Sequence, residues 1–71
     1  MNAQAQWQRH LERRATLKTQ FTADQLKARI KELDKELSAT GYTTLSENRK
    51  RARLAREIVA CAFAWTELKD P

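Results

Sequence analysis

Seventy-one residues form one domain at most, and a chain this short buries only about 60% of the surface that its unfolded form exposes. Fourteen Lys and Arg against nine Asp and Glu leave a formal charge of +5, while one cysteine and one histidine exclude an internal disulfide and a Cys/His zinc site within one chain. With neither staple to support a small core, self-association is the expected source of added stability, and a homodimer is the expected state.

The first segment, about 3–19, has the composition of a helix but few apolar residues. Trp7 and Leu11 share a face, and Leu17 lies off it, which predicts a weakly amphipathic helix. The next start is sharply marked. In FTADQL, Thr22 and Gln25 have the spacing of a capping box, with Phe21 and Leu26 placed as a hydrophobic staple. A helix over 22–39 follows, whose apolar positions Leu26, Ile30, Leu33 and Leu37 step by 4, 3 and 4 into a narrow coiled-coil-like seam. Arg29–Glu32, Lys31–Asp34 and Glu32–Lys35 are spaced to pair on its outer face. SATGYTT ends it, with Gly41 as the residue expected to take the left-handed conformation of a helix C-terminus.

Thr44 and Glu47 repeat the capping-box spacing, with Ser46 as the alternative cap, and open a helix over 45–68. Along it Leu54, Ile58, Cys61, Trp65 and Leu68 form one stripe, flanked by Ala55 and Ala62. Val59 and Phe63 lie away from that stripe, so 58–65 is apolar nearly all round and one neighbouring helix cannot cover it. The short loop at 40–44 predicts an antiparallel helical hairpin. The expected architecture is all-α: one domain, a hairpin plus an N-terminal helix, as a three-helix bundle or a dimeric helical bundle. Ile58, Cys61, Ala62, Phe63, Trp65 and Leu68 are its expected core or oligomer interface.

Charge is concentrated. Residues 1–20 hold four bases and one acid, 21–40 are balanced, and 47–56 hold five bases and one acid. Arg49, Lys50 and Arg51 stand in the first turns of a helix, where cations oppose the macrodipole and call for compensation. Glu32, Asp34 and Glu36 of the neighbouring helix are internal candidates. Phosphate or an acidic protein surface is the external one, because Arg49, Arg53 and Arg56 advance along a single face. The candidate binding residues are therefore Arg49, Lys50, Arg51, Arg53 and Arg56, with Arg9, Arg13 and Arg14 of the first helix and Trp7 as an aromatic anchor. No aromatic residue is interleaved with the arginines of 49–56, which counts against stacking of single strands.

Other chemistry finds no support. There is no Gly-rich phosphate loop, and no base and orienting acid accompany a nucleophile, so neither an enzyme nor a cofactor nor a small-molecule substrate is expected. His10 reads as a surface histidine and Cys61 as a small buried hydrophobe. MNAQAQWQRHLERR lacks the apolar core of a secretory signal, and the longest apolar run, Ile58 to Trp65, has eight residues against the roughly 20 needed to span a bilayer. With an unpaired thiol, this predicts a cytoplasmic protein. The expected function is that of a small non-enzymatic regulator that binds nucleic acid through its arginine-rich faces. The alternative is an adaptor or inhibitor that docks on a protein.

Overall fold

The computed structural model describes residues 3–70, and among them it contains three α-helices and no strand. They are α1 (Ala3–Gln20), α2 (Ala23–Ala39) and α3 (Leu45–Lys69). Both capping boxes form. The Thr22 backbone N–H donates to Gln25 Oε1 at 2.8 Å, and the Gln25 N–H returns to Thr22 Oγ1 at 3.2 Å. Thr44 and Glu47 do the same at 3.1 Å each way, which leaves Ser46 inside the helix as an ordinary position. Each box satisfies donors that a helix start otherwise leaves orphaned.

The end of α2 is built differently from expectation. No glycine takes a positive φ, and the C-cap is Thr40 in extended conformation, φ −85° and ψ 130°. The carbonyls are satisfied from another helix. Arg51 Nη1 donates to Leu37 O at 2.9 Å and to Thr40 O at 2.8 Å. With a guanidinium already there, a left-handed glycine cap is unnecessary. Gly41 instead leaves room for Glu47: a Cβ there would lie 2.9 Å from Glu47 Cδ, so the carboxylate that closes the α3 capping box would have to shift.

α2 and α3 form the antiparallel hairpin, with Lys50 and Arg51 at the start of α3 meeting Glu36, Leu37 and Thr40 at the end of α2. The α2 seam works as its spacing predicts: Leu26 and Leu33 are buried, and Ile30 and Leu37 pack beside them. The core is Leu17, Leu26, Leu33, Leu54, Ala60, Cys61 and Ala64, with no buried polar or charged residue among those described. Ile58 and Trp65 pack against this core within the same chain.

α1 departs from its predicted face. Leu17 is fully buried, whereas Trp7 is 58% and Leu11 37% exposed. The stripe that meets α3 runs through His10, Arg13, Arg14 and Leu17, because carboxylates of α3 draw the arginines inward. α1 and α2 barely touch each other and flank α3 from two sides. The result is open. The radius of gyration is 13.1 Å, against about 11 Å expected for a compact chain of this length. Val59 at 46% and Leu68 at 36% exposure are left largely uncovered on α3, and Phe63 is 48% exposed at the edge of its contact with α1. Of the interface expected from sequence, Ile58, Cys61 and Trp65 are thus occupied internally, Ala62 is half-buried, and Phe63 and Leu68 are open to solvent.

Candidate functional site

The cations divide into those the fold uses and those it does not. Three residues of α1 are neutralised by α3. Arg13 Nε donates to both oxygens of Glu57, at 2.9 and 3.3 Å, and Arg14 and Lys18 converge on Glu67, the lysine at 2.7 Å. The Glu67 carboxyl is held below its ordinary range, chiefly by the Lys18 hydrogen bond; burial opposes this, and Arg14 adds a smaller lowering effect. Arg14 is withdrawn further, with its guanidinium 4.7 Å from the centre of the Phe63 ring. Arg13 and Arg14 therefore tie α1 to α3, and Arg14 is not available as the phosphate ligand predicted from sequence.

On α3, Lys50 and Arg51 are also engaged. Lys50 lies 3.5 Å from Glu36, a half-exposed pair worth about 0–1 kcal/mol. Arg51 caps α2, where the negative end of that helix's dipole offsets its unfavourable position at the start of its own. Glu36 is the only one of the three acids Glu32, Asp34 and Glu36 to form an ion pair, and the expected pairs on the outer face of α2 are absent among the described residues.

Lys27, Lys31 and Lys35 of α2 stand without an ion pair among the described residues, and within the 49–56 cluster what remains is Arg49, Arg53 and Arg56. None has a carboxylate partner among the described residues, and Arg56 donates only to Ala52 O of its own helix, at 3.3 Å. Arg53 and Arg56 line a cleft of about 310 Å³ between the N-terminal half of α1 and the middle of α3. Its other walls are Gln6, Arg9, His10, Arg13, Glu57 and Ala60. A shallower depression with Arg49 and Lys50 adjoins it, sharing Arg53 and Arg56. The two basic clusters of the sequence are thereby one surface. Four guanidiniums against one carboxylate, itself bound to Arg13, suit an anion with several acceptor oxygens.

Beside the cleft stands an aromatic group that sequence reading missed. Trp7 is offset-stacked on His10, with centroids 5.5 Å apart and an interplanar angle of 24°. His10 meets the Phe63 ring edge-on at 5.7 Å. His10 is accordingly half-buried rather than a free surface histidine. No periodicity within either helix reveals this group, because it forms only where α1 crosses α3. Cys61 is fully buried, and burial, then Glu57, pushes its thiol pKa up, away from the reactive thiolate.

No group of three or more His, Cys, Asp or Glu among the described residues could hold a metal ion, and no helix among them is long and apolar enough to cross a membrane. No protein-family model, no curated protein and no solved structure matches the chain.

Proposed function

We propose that this protein is a small non-enzymatic binding protein that holds the phosphate backbone of nucleic acid on the face formed by Arg49, Arg53 and Arg56 with Arg9. One observation carries the reading. The fold neutralises or employs Arg13, Arg14, Lys18, Lys50 and Arg51, yet leaves the in-line stripe of α3 without a carboxylate. Unpaired guanidiniums at successive turns of one helix repel each other by small amounts at neutral pH, and a polyanion removes that cost.

The test is fluorescence anisotropy of a labelled oligonucleotide titrated with protein between 50 and 300 mM salt. Wild type is run beside Arg49→Glu/Arg53→Glu. The expected result is micromolar or tighter binding at low salt, a log–log salt slope near −3 for about four phosphates, and loss of binding in the double variant. Absence of binding at low salt rejects the reading.

A second reading has its own observation. Trp7 at 58% and Phe63 at 48% exposure offer an apolar anchor of the type enriched in protein interfaces. It supports docking on an acidic protein or on a second copy of this chain. That reading predicts sensitivity to Trp7→Ala without a steep salt dependence of nucleic-acid binding.

A further inference from the structure

The aromatic group and the arginine cleft share a wall. His10 lines the cleft and also carries Trp7 on its ring face. Trp7 is not a loosely held surface side chain. Its one face is backed by His10, which is fixed in turn by the edge of Phe63, whose ring Arg14 covers at 4.7 Å. The indole is nevertheless 58% exposed, so a flat, positioned ring face is presented to solvent next to His10, a wall of the cleft that Arg9, Arg53 and Arg56 also line. A positioned aromatic face next to a cationic groove is the arrangement that binds unpaired nucleotides: phosphates follow the cations, and a base lies on the ring. In a duplex the bases are stacked on each other and offer no free face. Trp7 would then contribute nothing, and its exposure would be an unrelieved cost.

Resting on the phosphate-binding reading above, we propose that the ligand is single-stranded. Its phosphodiester lies in the cleft against Arg53 and Arg56, and one unpaired base stacks on the open face of Trp7. Oligothymidylate and oligouridylate share this chemistry, because stacking uses the π-face that every base has.

The experiment compares labelled 12-mers of oligo-dT and oligo-U with a 12-base-pair duplex at 100 mM salt. Wild type, Trp7→Ala, Trp7→Phe and Arg49→Glu/Arg53→Glu are each titrated. The proposal expects tighter binding of the single strands than of the duplex. It expects a loss of roughly tenfold or more for single strands in Trp7→Ala, substantial recovery in Trp7→Phe, and little change for the duplex. The dT and U arms then identify DNA or RNA as the source, and a preference for either counts in favour. Duplex binding as tight as single-strand binding, or single-strand affinity indifferent to Trp7→Ala, overturns the proposal while the arginine dependence still upholds phosphate binding. Failure of all three probes to bind overturns both. The Trp7→Phe arm separates stacking from misfolding, since a folding defect would weaken every probe alike.

Discussion

Arg51 shows how a cation that reads as a candidate ligand from its neighbours in sequence can be engaged by the fold itself. It belongs to RKRARLAR, the most basic stretch of the chain, yet its guanidinium lies on two carbonyls at the end of α2. The two hydrogen bonds are charge-assisted and partly buried, so Arg51→Ala should lower stability by about 1–3 kcal/mol. Urea denaturation would read this as a lower midpoint. The same variant should keep the salt slope of oligonucleotide binding, whereas Arg53→Glu should reduce the slope with the midpoint nearly unchanged. Gly41 is misread for a related reason. Its expected role follows from its position just after a helix, but Arg51 closes that helix from across the hairpin, and Gly41 serves as space for Glu47. The Arg51 contact has no local sequence signal, because it joins two helices, and the Gly41 contact depends on how the loop folds back over the start of α3.

At the scale of elements, the helix starts were legible and the docking face of α1 was not. A capping box is a contact between residues three apart, so Thr22–Gln25 and Thr44–Glu47 can be read directly from spacing. The hairpin follows from a short loop and two apolar stripes. α1 has so few apolar residues that its orientation is chosen by charge, through Glu57 and Glu67 on the side of α3 away from α2. A signal was present, since these acids bracket the apolar run of α3, one on each side. The folded-state pKa of Glu67 is depressed below the ordinary value of 4.5, so its contribution is fully present above that value and is lost as pH falls through the depressed one. Glu47, lowered mainly by the hydroxyls of Thr43 and Thr44, follows the same sign at the start of α3. Amide protection factors in α1, which correct for the slower intrinsic exchange in acid, should therefore fall on acidification below the ordinary carboxylate range. Glu67→Gln should show low protection already at neutral pH, with much less change on acidification.

For the whole molecule, the relevant property is that one helix supports two flanking helices that do not cover it. Hydrophobic burial is concentrated where α1 joins α2, around Leu17, Leu26, Cys61 and Ala64, and thins toward the N-terminal end of α1. That thinning opens the cleft and brings Arg9 of one basic cluster to Arg53 and Arg56 of the other. The sequence made the arginine stripe visible, because 49, 53 and 56 fall at helical spacing. It could not separate employed cations from idle ones, or place Trp7 against His10 at the cleft wall, since both depend on how α1 crosses α3. The central claim is that the idle arginines are the binding surface. Arginine side-chain Nε–H resonances, followed by NMR during titration with an unlabelled oligonucleotide, test it most directly. Arg49, Arg53 and Arg56 should shift together in a saturable manner while Arg14 and Arg51 stay in place. Shifts confined to Arg14 and Arg51, or no shift in the stripe at saturating oligonucleotide, would contradict it.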